Sequence, residues 1–240
     1  MSRKNGRSFN QIREIKITKN YIIHPHGSVL FQMGGTRVLC SASIDNKVPS
    51  FLRDQGKGWV TAEYSMLPSS THTRTSREAS KGKVSGRTQE IQRLIGRSLR
   101  SIVDLEKLGE RTVWIDCDVI QADGGTRCAS ITGSFIALVL AMKKLKKDKI
   151  IDQIPVRDYV AGISVGIIDG KNLLDLDYSE DSEADVDLNI IKTGKGGFVE
   201  VQGTAEREPF TDEQMKAMLA LADKGIKQLI SVQKQTIGKW

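Results

Sequence analysis

Two copies of the tetrapeptide Gly-Gly-Thr-Arg carry the first chemical hint, because their contexts differ. Gly34-Gly35-Thr36-Arg37 joins two strand-like runs, where glycines supply the positive φ of a tight hairpin, so this copy reads as structural. Gly124-Gly125-Thr126-Arg127 follows a strand and opens a helix. Backbone N–H groups are unpaired at such a start, the helix dipole is positive there, the threonine hydroxyl can donate, and Arg127 adds a charged fork. The combination suits a phosphate-sized anion; a plain strand-to-helix turn would also use Gly-Gly.

A basic stretch strengthens the anion reading. Arg74, Arg77, Lys81, Lys83, Arg87, Arg93, Arg97 and Arg100 stand against only Glu78 and Glu90 within residues 69–100. The segment Ser69–Lys83 is polar and poor in apolar residues, which predicts an exposed, mobile loop. Arg87 falls immediately before the first turn of a helix expected from Thr88, where an anion would meet both guanidinium and dipole. The loop arginines suit an RNA backbone, because a flexible polycation needs a polyanion to order it. No Phe, Trp or Tyr lies in residues 69–100, so base stacking is not offered there, and His72 reads as an exposed contact. Arg93, Arg97 and Arg100 share a helical face that is either solvated or a subunit contact.

The third element is acidic. Asp175, Asp177, Glu180, Asp181, Glu183, Asp185 and Asp187 fall within thirteen residues. A calcium loop fails, since Glu180 occupies the glycine position and Val186 the final glutamate position. The alternatives are a solvated acidic turn, or carboxylates converging from a turn (Asp181) and a strand (Asp185 and Asp187, on one face) to hold Mg²⁺ and serve a departing alkoxide. His24-Pro25-His26 lacks a third ligand at metal-site spacing. No Walker loop or dinucleotide fingerprint is present.

These elements need a scaffold. Gly27–Met33 and Arg37–Ile44 read as a hairpin, and Val113, Ile115, Cys117 and Val119 alternate with polar residues as another strand. Further strands are expected at Tyr159–Ile168, Asn172–Tyr178, Val186–Thr193 and Phe198–Gly203. Helices are expected from Thr88 to about Lys107, from Cys128 to Lys147 and from Thr211, where Gln214 completes a capping box. Strands and helices mix without regular βαβ alternation, which predicts an α+β fold with a mixed sheet, one domain over residues 1–240 and two β-rich halves joined near 148–157.

Composition narrows the classes. Residues 1–110 carry a net charge of +10 and the remainder −3, so the basic excess of a chain with net charge +7 lies in its first half and suits a polyanionic partner. No stretch approaches the run of about 18 apolar residues that a membrane span needs. The basic start, Met1 to Arg7, has no apolar segment behind it, so no secretory signal is expected. Cys40, Cys117 and Cys128 have no paired spacing and read as reduced core cysteines of a cytoplasmic protein.

Taken in order, these strings resemble the phosphorolytic exoribonuclease family that includes bacterial ribonuclease PH, polynucleotide phosphorylase and exosome ring subunits. The likeness rests on Gly58-Trp59-Val60-Thr61-Ala62-Glu63-Tyr64-Ser65-Met66-Leu67-Pro68, Gly86-Arg87-Thr88-Gln89-Glu90-Ile91-Gln92-Arg93, Gln121-Ala122-Asp123-Gly124-Gly125-Thr126-Arg127, Glu180-Asp181-Ser182 through Asp187-Leu188-Asn189, and Val199-Glu200-Val201-Gln202-Gly203-Thr204-Ala205-Glu206. It implies a ribosomal-protein-S5-like fold and phosphate-dependent 3′-to-5′ removal of nucleotides from RNA, tRNA precursors and ribosomal RNA included, as nucleoside diphosphates. Inorganic phosphate would be held by Arg87, Gly125, Thr126 and Arg127. Asp181 and Asp187 would be catalytic and bind Mg²⁺ or Mn²⁺, while Arg74 and Arg77 would contact the tRNA acceptor stem. The resemblance also implies a homohexamer built as a trimer of dimers. Ser69 departs from the family pattern, which has arginine there. A hydrolytic exonuclease and a non-catalytic RNA-binding ring subunit are the rival readings.

Overall fold

The computed structural model describes Arg3 and residues 6–240. Its first sheet contains β1 (Ile15–Lys19), β2 (Gly27–Met33), β3 (Thr36–Asp45), β4 (Trp59–Met66) and β5 (Thr112–Gln121), in the order β1-β2-β3-β5-β4. Only the β4–β5 pairing is parallel, so this sheet is mixed. The second sheet is antiparallel, with β6 (Val160–Ile168), β7 (Lys171–Leu174), β8 (Val186–Thr193) and β9 (Phe198–Ala205) in the order β7-β6-β8-β9. The architecture is α+β, as the irregular succession of strand and helix patterns predicts.

Helices α1 (Gly86–Arg100), α2 (Leu105–Leu108), α3 (Thr126–Lys147), α4 (Tyr178–Glu183) and α5 (Asp212–Ile237) complete the fold. The helix α3 packs on β2 and β3 of one sheet and on β6 of the other, which explains why it is apolar nearly all round. Contrary to the sequence-based expectation, α3 is by length and composition able to cross a membrane, but 83% of its most apolar window is buried inside the protein. It is the central helix of a core that both sheets share.

Other boundaries also differ from expectation. The helix expected over Thr88–Lys107 starts at Gly86 and stops at Arg100, and a separate turn, α2, begins after Asp104 caps it. Ile102 and Val103 are buried between the two helices, so the apolar pattern continued where the helix did not. The strand expected over Asn172–Tyr178 ends at Leu174, because Asp175 adopts a positive φ of 56° and Asp177 then caps α4. At α5 the capping box of Thr211 and Gln214 forms as the spacing predicts.

Candidate active site

Four elements converge on one cavity of about 200 Å³. Arg87 comes from α1, Gly125 and Thr126 with Arg127 from the start of α3, Asp181 from α4 and Asp187 from β8. Residues separated by up to a hundred positions thus line a single pocket, together with Met66, Thr71, Ser164, Tyr178 and Asn189. Arg74 and Arg77 lie outside it, exposed on the neighbouring loop. That loop is less free than its composition suggests. A short 3₁₀ turn spans Glu78–Lys81, and the Glu78 carboxylate accepts hydrogen bonds from the hydroxyls of Ser85 (2.7 Å) and Thr88 (2.8 Å). Ser85 caps α1, so Arg87 sits inside its first turn rather than before it.

The anion-binding character of residues 124–127 has a local cause. Gly124 (φ 73°) and Gly125 (φ 65°) both occupy the left-handed region, which favours glycine. A Cβ on Gly124 would also lie 2.7–2.8 Å from the backbone of residues 176–178, so only glycine lets this turn rest against the entry to α4. No side chain caps the first turn of α3, and its N–H groups therefore remain available to a ligand. The Thr126 hydroxyl is 2.9 Å from the buried Tyr64 hydroxyl. Arg127 donates to Gln202 Oε1 and lies 3.5 Å from Glu90, contacts that aim the guanidinium along the cavity wall.

The two Gly-Gly-Thr-Arg copies turn out to be in contact, which sequence reading missed. Thr36 of the first copy is fully buried; its hydroxyl donates to the Gly124 carbonyl (2.7 Å) and accepts from the Asp123 N–H (3.0 Å). Arg13 braces the same turn, donating to the Asp123 carbonyl while its Nε and Nη2 donate to the Asp175 carboxylate at 3.0 and 2.6 Å. Burial works against the Arg13 charge, but Asp175, together with Asp123 and Asp177, outweighs it and raises the guanidinium's pKa above its ordinary value. Nothing in the sequence marks Arg13, whereas the repeated tetrapeptide could have flagged Thr36. Thr36→Val is expected to destabilise the fold by about 1–3 kcal/mol, since it strands a buried donor and acceptor. Urea unfolding measures this; Thr36→Ser should recover most of the loss.

The acidic run divides into structural and site carboxylates. Glu180 pairs with Arg3 and lies 3.2 Å from Arg7, Asp175 lies 3.3 Å from Arg7, and Asp177 with Glu180 closes the capping box of α4. Asp175 and Glu180 are buried partners of the basic N-terminal segment, with Asp177 half-buried beside them, rather than members of a solvated turn. Asp185 is outside the site as well: it precedes β8, pairs with Arg207 at 3.1 Å and lines a different pocket. Glu183 is exposed and does not line the cavity, which leaves Asp181 and Asp187 there. Burial raises the pKa of Asp181, opposed by Arg127, Arg87 and Arg13. Burial also raises Asp187, reinforced by the charges of Asp181 and Glu206 and opposed by Arg127. The cavity thus pairs two guanidinium groups and an uncapped helix start with two carboxyl groups that resist ionising together.

Asn189 and Ser164 also border the cavity without a sequence-level signal for their roles. Burial pushes the Cys128 thiol up to about 12, so it remains a thiol and donates to Asn189 Oδ1 at 3.2 Å. Two of the helix arginines are committed to structure: Arg97 pairs with Glu200, and Arg100 lies 4.3 Å from the Trp59 ring centre while donating to the Val60 carbonyl.

Comparison with known proteins gives a consistent picture. The family described as "3′ exoribonuclease family, domain 1" matches residues 11–144, and "3′ exoribonuclease family, domain 2" matches residues 158–225. Ribonuclease PH of Syntrophomonas wolfei is 61% identical over 238 residues, covering 99% of this chain and 100% of the relative. Ribonuclease PH of Bacillus pumilus is 60% identical over 238 residues, with 99% and 98% covered. Among solved structures, an Archaeoglobus fulgidus exosome with RNA bound to the active site aligns at a TM-score of 0.81 and 22% identity, covering 96% of this chain and 92% of that one. Rice Rrp46 aligns at 0.79 and 18%, covering 98% and 100%. At such low identity the solved structures speak for the fold alone.

Proposed function

Since this chain belongs to the 3′ exoribonuclease family, we propose that it is a phosphate-dependent exoribonuclease that shortens RNA from its 3′ end and releases nucleoside diphosphates. The observation that carries this reading is the meeting of Arg87, Arg127 and the uncapped start of α3 with Asp181 and Asp187 in one cavity.

In this reading the amides and hydroxyl at Gly125 and Thr126, with Arg87 and Arg127, seat hydrogen phosphate and offset its repulsion from the RNA phosphate. One phosphate oxygen attacks the last internucleotide phosphorus in line, and the bond to the 3′-oxygen of the preceding nucleotide breaks. The proton lost by hydrogen phosphate ends on that 3′-oxygen, and the Asp187 carboxylate can accept and return it. Little covalent chemistry is asked of the protein; positioning and charge suffice.

A divalent cation fits the donor set. No group of three or more His, Cys, Asp or Glu side chains suited to a metal occurs among the described residues. Mg²⁺, however, usually takes one or two carboxylates and keeps waters and phosphate oxygens for the rest. Asp181 and Asp187 would hold Mg²⁺ or Mn²⁺, and their mutual repulsion is what such an ion relieves. When bound, it supplies charge neutralisation at the departing oxygen.

The substrate class proposed is structured RNA with a single-stranded 3′ end, tRNA precursors first and ribosomal RNA second. Arg74 and Arg77 are both exposed, and in this reading they contact the phosphates of the acceptor stem. Replacing both with alanine is expected to flatten the plot of log affinity against log salt by roughly 0.7–0.9 for each phosphate no longer neutralised. An unchanged slope in a filter-binding or anisotropy titration would remove them from the interface. We also propose a homohexameric ring built as a trimer of dimers, located in the cytoplasm. Support for assembly comes from β9, an edge strand with Phe198 and Val201 exposed, which a second copy would cover. Three buried free thiols suit a reducing compartment.

The deciding experiment incubates RNA with the protein, with and without phosphate, and identifies the nucleotide released. Diphosphates that appear only with phosphate support the proposal. Monophosphates without phosphate would mean hydrolysis, and RNA binding without turnover would mean a non-catalytic subunit.

A further inference from the structure

Among the described residues, the cavity has one aromatic side chain in its lining, and it arrives from far along the chain. Tyr178 is the first residue of α4, three positions before Asp181, so both side chains share a face of that short helix. Tyr178 is 53% exposed although it borders the cavity, and its backbone N–H donates to the Asp123 carboxylate at 3.4 Å. The His72 ring packs against it with centroids 5.7 Å apart. The basic loop, which has no Tyr, Phe or Trp of its own, is thereby joined to an aromatic surface by tertiary contact.

Two grooves flank the cavity, and their charges differ. One passes Asp181, Ser182, Asp187 and Glu206, with Arg207 as its single cation. A polyanion gains little there. The other shares Thr71 and Ala122 with the cavity and continues past Ser69, Ser70 and His72; Asp123 is its single charged lining residue, and it lies at the root of the loop that bears Arg74 and Arg77. The second groove is the less acidic of the two and adjoins the exposed loop arginines, so it is the one a polyanion favours, and the Tyr178–His72 pair joins it to the cavity.

We infer that Tyr178, steadied by His72, is the stacking platform for the 3′-terminal base of the RNA. This rests on the exoribonuclease reading and adds a substrate-positioning contact to it. Stacking on a phenol ring suits an enzyme that trims ends one nucleotide at a time, because every base presents a π face. The contact would hold the terminal nucleotide in register with the phosphate loop without selecting its identity.

The test compares three RNA oligomers: unmodified, lacking the 3′-terminal base, and lacking the penultimate base. Each is measured with the unaltered protein, Tyr178→Ala and Tyr178→Phe. Tyr178→Ala should lower kcat/KM for unmodified RNA by about 10-fold. The same variant should cost nothing on the oligomer lacking the terminal base, and KM for phosphate should stay constant. Tyr178→Phe, which keeps the ring, should remain within about 2-fold of the unaltered protein. Equal losses on all three oligomers would overturn the inference, since the ring would then be supporting α4 rather than a base. So would an effect that vanishes only on the oligomer lacking the penultimate base. Equilibrium binding of the same oligomers needs no turnover. If no nucleoside diphosphate is released by the unaltered protein, the activity reading falls, while a base-dependent binding loss in Tyr178→Ala still stands or fails by itself.

Discussion

Asp187→Asn is expected to lower kcat by roughly 10²–10⁴, the range for losing a proton-transferring carboxylate, while RNA binding persists. The substitution keeps shape and removes charge, so a change confined to kcat separates chemistry from folding. The structure gives this carboxyl a distinctive pH behaviour. Burial, then the charges of Asp181 and Glu206, raise its pKa above the ordinary aspartate value. A raised pKa means that the proton is taken up at higher pH as the solution is acidified. Ionised carboxylates are what relay the proton and hold a cation, so turnover should begin to fall above the pH range of an ordinary carboxylate. The pH dependence of kcat/KM for Mg²⁺ at saturating phosphate reports the metal-free carboxyls and measures the limb; full activity of Asp187→Asn would remove the residue from the mechanism.

Arg127→Ala should cost about 10²–10³ in kcat/KM for phosphate, comparable to deleting one preorganised charge-stabilising donor. RNA affinity should change little, because the loop arginines lie elsewhere. The variant has a second expected signature. Arg127 opposes the raised pKa of both Asp181 and Asp187. Removing its positive charge disfavours the ionised carboxylates further, so the acid limb of the pH–rate profile should move to higher pH. Phosphate dependence identical to that of the unaltered protein would refute the assignment. Unfolding curves of both variants check that the effect is not structural, because Arg127→Ala also breaks the ties of this guanidinium to Gln202 and Glu90.

Much of the fold was legible because its signals are local. Period-two alternation marks β5, Gly34-Gly35 marks the β2–β3 hairpin, and Thr211 with Gln214 marks the start of α5. Failures came where tertiary packing overrode local pattern. Ile102 and Val103 kept the apolar rhythm of α1 after the helix had ended, because they fill the core from an irregular segment. Asp175 sits in what reads as a strand, yet its left-handed backbone is held by a buried pairing with Arg13, 162 positions earlier in the chain.

The site divides in the same way. Residue type and neighbourhood flagged Arg87, the Gly124–Arg127 turn and a run of acids that included Asp181, Asp185 and Asp187, since anion-binding turns and unusual carboxylate runs are properties of short stretches; the family resemblance narrowed the acids to Asp181 and Asp187. Which acids face the cavity was decided only by folding. Glu180 and Asp175 turn inward to the N-terminal arginines and Asp185 turns away to Arg207, because burying a charge demands an opposite charge wherever the chain can supply one. The brace of Thr36 on Gly124 and the placing of Tyr178 beside His72 likewise join positions about ninety and a hundred apart, and no periodicity along a sequence records such a distance.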